Sequence, residues 1–188
     1  MDITFIRHGH GEHLIDYPNR LNELHPGLTE RGRSQVTTLC KQLKLDPHDI
    51  ILVSPARRTI ETALLLSAGE HLTICPLVGP RMFPQNPEFT PFICDQIYSR
   101  EELDTQFPGL SVMDCGLECW EEGINRMDEH QFEVLATGLL QWCREQDGNI
   151  YIISHDGTIT NYRILLGEKG LSRRDFLGEA GMHTFKNF

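Results

Sequence analysis

A chain of 188 residues with 39% hydrophobic and 23% charged side chains has the composition of an ordinary globular protein, long enough to bury a core of its own. Its 17 lysines and arginines against 27 aspartates and glutamates give a net charge of -10, which argues against nucleic acid or an anionic membrane as the main partner. A small anionic substrate stays compatible with that balance, provided that cations gather locally against the global field.

Residues Ile3 to Ile6 form a short apolar run with β-branched members, the pattern of a buried strand. It ends in Arg7-His8-Gly9, a cation, an imidazole and a residue without a Cβ, so the backbone can turn or approach a ligand closely. Arginine offers a planar fork that matches phosphate oxygens, and a neutral histidine is a nucleophile. Met1 leads directly into this strand without a charged-then-apolar leader, and no run of about 18 apolar residues follows. The expectation is a cytoplasmic protein. Six cysteines (Cys40, Cys75, Cys94, Cys115, Cys119 and Cys143) are then expected as free thiols. Cys115 and Cys119 lack the second pair of similar spacing that such a zinc site would use.

Residues 10 to 28 are polar, with Pro18, Pro26 and Gly27, and read as a surface loop. A helix is predicted from Thr29, with Val36, Leu39, Cys40 and Leu43 on one face and Pro47 closing the segment. Ile50–Val53 is a second buried strand, and Ser54-Pro55 reads as N-cap and first position of a helix whose Ile60, Ala63, Leu64 and Ser67 face the sheet. Leu72 to Cys75 is a third strand. Prolines 76, 80, 84, 87 and 91 exclude a regular element through the next stretch, and Ser99-Arg100-Glu101-Glu102 has the form of a capping box before a helix ending near Phe107. An insert over about 76–127 is long for a connection and is read as a loop-rich lid. The longest helix follows, Asp128 to about Gln146, with Phe132, Leu135, Leu139, Trp142 and Cys143 along one stripe. Ile150–Ile153 is a fourth strand, followed by Ser154-His155-Asp156-Gly157 and a helix to Gly167. Alternating strands and helices predict an α/β fold: a three-layer sandwich with a mainly parallel central sheet flanked by helices, in one domain over 1–188.

Three strands end in chemically useful groups: Arg7-His8 after the first, Arg57-Arg58 after the second and His155 after the fourth. In open α/β sheets ligands bind outside the carboxyl ends of the strands, so distant segments are expected to converge. Two imidazoles and at least two guanidiniums in one pocket supply what phosphoryl transfer needs without a metal, a nucleophile and donors to the equatorial oxygens.

Arg7-His8-Gly9, the segment Ser54-Pro55-Ala56-Arg57-Arg58-Thr59-Ile60-Glu61-Thr62-Ala63 and Ser154-His155-Asp156-Gly157, in this order, resemble the histidine phosphatase superfamily, the phosphoglycerate mutase-like family. Leu28-Thr29-Glu30-Arg31-Gly32-Arg33-Ser34-Gln35 is similar to its Leu-Thr-x-x-Gly-x-x-Gln helix start. The resemblance implies that His8 becomes phosphohistidine, that Arg7, Arg58 and His155 bind the phosphoryl group together with Gly9, and that Arg57 turns to solvent or backs the site. Two positions depart from the pattern: Leu14 stands where the family often has Asn, and Pro84 falls where the proton-donating Glu belongs. Aligning instead on Cys94-Asp95 selects Glu88 as the donor, with Asp95 or no acid at all as the alternatives.

The expected activity is metal-independent and cofactor-free hydrolysis of a small phosphomonoester, with Arg81, Asn86, Arg100 and Glu118 of the insert as candidates for selecting the substrate. A phosphoglycerate mutase-type phosphotransferase is the alternative within the family, though a mutase must enclose its intermediate and this chain has only the insert as cover. Two readings come from other classes. His8-Gly9-His10-Gly11-Glu12-His13 resembles the His-x-His-x-Asp-His zinc motif of metallo-β-lactamase-like hydrolases, although Glu replaces Asp and Arg58 is left without a role. A phospholigand-binding protein that keeps the pocket without turnover is the other.

Overall fold

The structure, a computed structural model, describes residues 1–67 and 71–188. Strands Ile3–Arg7 (β1), Ile50–Val53 (β2), Leu72–Ile74 (β3), Ser111–Val112 (β4), Ile150–Ser154 (β5) and Met182–Phe185 (β6) form one sheet of order β4-β3-β2-β5-β1-β6. All pairings are parallel except β1 with β6. Helices are Glu30–Cys40 (α1), Arg57–Ser67 (α2), Arg100–Gln106 (α3), Leu117–Glu121 (α4), Glu129–Arg144 (α5) and Asp156–Leu165 (α6).

The central strands read as continuous apolar runs because both faces of the sheet are covered. Phe5, Ile150 and Ile152 pack with Phe132, Ala136 and Leu139 of α5 and Ile159 and Tyr162 of α6. Ile6, Ile51, Val53 and Ile153 pack on the other face with Leu39 of α1, Ile60 and Ala63 of α2, and Leu103 of α3. The three layers expected from the alternation are present.

Register then decides where the chemistry goes. Ile6 pairs with Ile153 and Val53 pairs with the same Ile153, so β1, β2 and β5 end side by side at their carboxyl ends. β5 lies between β1 and β2, and the crossovers diverge there, which opens the crevice.

Three expectations are corrected. The helix predicted from Ser54 starts at Arg57, because Ser54-Pro55-Ala56 makes a tight turn in which Ala56 N–H donates to the Ser54 carbonyl at 2.8 Å. The stretch expected as a loop-rich lid also supplies α3, α4 and the edge strand β4, and it places Leu103 and Trp120 in the core. The antiparallel edge strand β6 was not predicted at all. By contrast, Thr29 caps α1, accepting from Gly32 N–H at 3.1 Å, and Ser99 with Glu102 completes the capping box before α3.

Candidate active site

His8 stands one residue beyond β1, and its backbone N–H donates to the Ser154 carbonyl at 3.1 Å. The ladder thus fixes the main chain where the side chain departs. His8 Nδ1 lies 2.7 Å from the Gly9 carbonyl oxygen. A carbonyl only accepts, so Nδ1 carries the proton and Nε2 keeps the lone pair. Arg58 Nε donates to that Nε2 at 3.3 Å, which agrees with the assignment. Burial, and after it the charges of Arg58, His155 and Arg7, hold the His8 pKa well below its ordinary value. The imidazole is neutral, with its lone pair turned to Arg58.

Arg58 reaches the site from the first turn of α2 and is 2% exposed. Its Nη1 donates to the Cys94 carbonyl at 2.6 Å and its Nη2 to Asp95 Oδ1 at 3.0 Å and His155 Nδ1 at 3.2 Å. Because Nδ1 of His155 accepts, its Nε2 carries the proton and donates to Ser54 Oγ at 2.8 Å. Burial first, then Arg58, depresses the His155 pKa well below the usual range. This imidazole is therefore neutral in the free protein, and its site-facing nitrogen accepts. Its ring lies 5.3 Å from that of His8.

Arg7 closes the group from the end of β1, donating from Nη1 to the Leu177 carbonyl at 2.6 Å and pairing through Nη2 with Asp156 Oδ2 at 3.0 Å. Its Nε is buried without a partner in the protein, and so is Nδ1 of His13. Each of these two guanidiniums carries a carboxylate, Asp156 on Arg7 and Asp95 on Arg58. Burial pushes the Asp95 carboxyl above its ordinary pKa against the pull of Arg58, and Asp156 adds to the upward push. A carboxyl raised in this way holds a proton more readily than a solvated one.

Arg7, His8, Arg58 and His155 line one cavity of about 370 Å³, with Asp95 and Asp156 in its wall. Other expected residues are not brought there. Glu88 is exposed, its N–H capped by Asn86 Oδ1 at 3.0 Å, and the chain turns Phe89 rather than Glu88 into the cavity. Gly9 does not line it either, since its N–H donates to Thr62 Oγ1 at 3.2 Å. A Cβ on Gly9 would stand 2.7 Å from the Gly32 carbonyl oxygen, so the close approach is to α1 and not to a ligand. Among the proposed selectivity residues, Arg81 is in the wall but spends its Nη1 on the carbonyls of Ile124 at 2.6 Å and Met127 at 2.7 Å. Arg100 pairs with Asp114, Asn86 caps its own loop, and Glu118 lies on the surface near Gln131. Arg57 turns outward to Glu61.

His13 is the residue that the reading of motifs placed elsewhere. A 3-10 turn over Glu12–Leu14 rotates it inward until it is 7% exposed, with its ring 5.8 Å from that of His8. Burial, then Arg58 and Arg7, lowers its pKa to about 3. The zinc arrangement fails on geometry, because His10 turns away and holds Thr29 Oγ1 through Nδ1 at 2.9 Å. Among the described residues no three His, Cys, Asp or Glu side chains are grouped to hold a metal ion.

Comparison with known proteins gives a consistent result. Residues 3–79 match the model of the histidine phosphatase superfamily (branch 1). A Schizosaccharomyces pombe protein named a probable phosphatase is 30% identical over 115 residues, which is 60% of this chain and 52% of that protein. The match thus spans about half the length of that relative. The fold is similar to those of an ecdysone phosphate phosphatase from Bombix mori in complex with tungstate (TM-score 0.63, 15% identity, 97% of this chain and 88% of the other). It is similar as well to a phosphoserine phosphatase mutant from Entamoeba histolytica in complex with phosphoserine (TM-score 0.59, 21% identity, 98% and 89%).

Proposed function

We propose that the chain is a member of the histidine phosphatase superfamily, whose model its residues 3–79 match, and that it hydrolyses a small phosphomonoester through a phosphohistidine on His8, without a metal. The observation that supports this most is the neutral His8 with an unprotonated Nε2, 3.3 Å from Arg58 Nε, in a cavity that also holds Arg7 and His155. In the proposed first step Nε2 attacks phosphorus in line, the ester P–O bond breaks, and the departing oxygen takes a proton. Arg7 and Arg58 stabilise the charge that spreads over the equatorial oxygens, and His155 joins them once it has gained a proton.

We assign the proton donor to Asp95 in place of Glu88, because Asp95 lines the cavity and burial raises its pKa. In the second step the Asp95 carboxylate takes a proton from water, whose oxygen attacks phosphorus and releases phosphate and free His8. Hydrolysis is favoured over transfer between substrate positions by the open mouth: Tyr17 is 65% and Phe92 43% exposed, so water reaches the intermediate.

The test is phosphate release from a panel of phosphomonoesters, with and without chelator, together with chemical trapping of the phosphoenzyme. Turnover unaffected by chelator and an acid-labile phosphoenzyme that disappears in His8→Ala are expected. Release that persists in His8→Ala, or that chelator abolishes, would overturn the mechanism.

A further inference from the structure

Away from its phosphate end, the cavity wall carries four phenyl rings, with Asn125, Arg81 and Arg173 as its polar members. Phe83 lies 6.3 Å from Phe176, and Phe89 meets Phe92 edge-on at 5.3 Å, all four rings lining the cavity that holds His8. At the mouth, Tyr17 and Phe92 extend into solvent beside each other along the cavity wall, and a contiguous exposed apolar patch marks a binding surface. Tyr17, Leu21 and Phe92 also line a second cavity of about 540 Å³, so the two spaces share a wall. Among the described residues no charged side chain lines that second space; Pro18, Pro91 and Ile93 form the rest of it together with the uncharged Asn19, Asn22 and Thr90.

The charges in the first cavity point the same way. Arg7 and Arg58 sit at the phosphate end, Arg81 is committed to two backbone carbonyls, and Arg173 at the rim lies over the Phe176 ring at 5.8 Å. A phosphorylated sugar or hydroxy acid would press hydroxyls or a carboxylate against the phenylalanine walls and leave them unpaired, which is unfavourable. A hydrocarbon body loses nothing there and leaves water behind.

We infer that the preferred substrate, on the phosphatase reading above, is the phosphomonoester of a large apolar alcohol or phenol, whose body runs between the phenylalanines and out into the trough walled by Tyr17, Leu21 and Phe92. The specificity of the site lies in this wall, and the phosphate end is indifferent to the alcohol.

The test uses two homologous series below their micelle thresholds, alkyl phosphates from ethyl to octyl for turnover and the matching alkylphosphonates for binding. The alcohols differ little in leaving-group ability, so chain length reports the wall. The expected result is a kcat/KM that climbs by up to about fourfold per added methylene and exceeds tenfold between ethyl and octyl phosphate, with phosphonate affinity rising in parallel. Tyr17→Ala and Phe92→Ala should each lower the octyl-to-ethyl ratio. Phosphonate affinity that is flat or falls with chain length overturns the inference. So does a higher kcat/KM for 3-phosphoglycerate than for octyl phosphate that disappears in Arg173→Ala. Rising phosphonate affinity without turnover of any ester leaves the apolar subsite standing and defeats the phosphatase reading instead.

Discussion

Asp95 and Glu88 separate cleanly at the level of single side chains. An alkoxide leaves phosphorus only with a proton, whereas 4-nitrophenolate leaves unaided, so the loss of a general acid shows on the first kind of ester alone. Asp95→Asn is expected to slow alkyl phosphate hydrolysis by roughly 10²-fold or more with a much smaller effect on 4-nitrophenyl phosphate. Glu88→Gln, altering an exposed side chain outside the cavity, should track wild type on both. Equal losses for Asp95→Asn on the two esters would remove Asp95 as the donor. His155 gives a second test. It is neutral in the free protein and accepts from Arg58, so it can donate to a phosphoryl oxygen only after taking up a proton. A dianion beside it favours the charged form and raises its pKa toward neutrality. Binding of tungstate, whose charge is constant near neutrality, should therefore take up protons and tighten as pH falls from about 8 to about 6. Titration calorimetry in buffers of different ionisation enthalpy measures the uptake, and His155→Asn should abolish it. Uptake unchanged in that variant would place the proton on another group.

Elements marked by an apolar run, a sustained period or a capping box were legible, and those with none of these were not. β1, β2 and β5 are apolar runs because both faces are covered, and α1, α2 and α5 carry stripes that the sheet buries. β6, Met-His-Thr-Phe, is an edge strand whose residues alternate between exposed and half-buried, so no apolar run marks it. β4 is two exposed residues paired with β3. The same reasoning divides the site. His8, Arg58 and His155 follow strands whose ends must lie together, so their meeting could be foreseen. The choice between Glu88 and Asp95 could not be made, because both sit in a proline-rich stretch where no periodicity says which side chain turns inward. Ser54, whose sequence context is that of a cap, instead accepts a hydrogen bond from His155 Nε2. The loop that carries His8 rests on α1 through a glycine pair. A Cβ on Gly32 would run into the His10 backbone carbonyl, and backbone cannot swing aside as a side chain can. Gly32→Ala is therefore expected to destabilise the fold by about 2 kcal/mol and to lower activity beyond what the lost stability explains, because His8 shifts with its loop. Urea unfolding and kcat/KM measured on the folded fraction check both halves. A variant as stable and as active as wild type would show that α1 gives way freely.

Across the whole molecule, a cation-lined cavity inside a chain of net charge -10 has a consequence for acid stability. His8, His13 and His155 are all buried beside Arg58, and burial, followed by that positive charge, depresses the pKa of each. His25 shifts in the same direction, mainly through burial. In the unfolded chain these imidazoles titrate near 6.5. Below that pH the unfolded state binds protons that the native state refuses, so the stability they contribute is fully present above about 6.5 and drains away as pH falls toward the native values. Each histidine contributes a slope of up to about 1.4 kcal/mol per pH unit, and the three in the cavity together about 4. In a buffer without phosphate or related anions, urea unfolding at pH 7, 6 and 5 should thus show a steep loss before most carboxylates begin to titrate. His13→Gln should lower the slope by up to about 1.4 kcal/mol per pH unit, since it deletes one of the protons that the native state refuses. Saturating tungstate should flatten the curve, because the bound dianion lets His155 take its proton in the native state. A stability constant from pH 7 to pH 5 would mean that the cavity imidazoles titrate as they do in water, and the neutral nucleophile on which the chemistry depends would go with them.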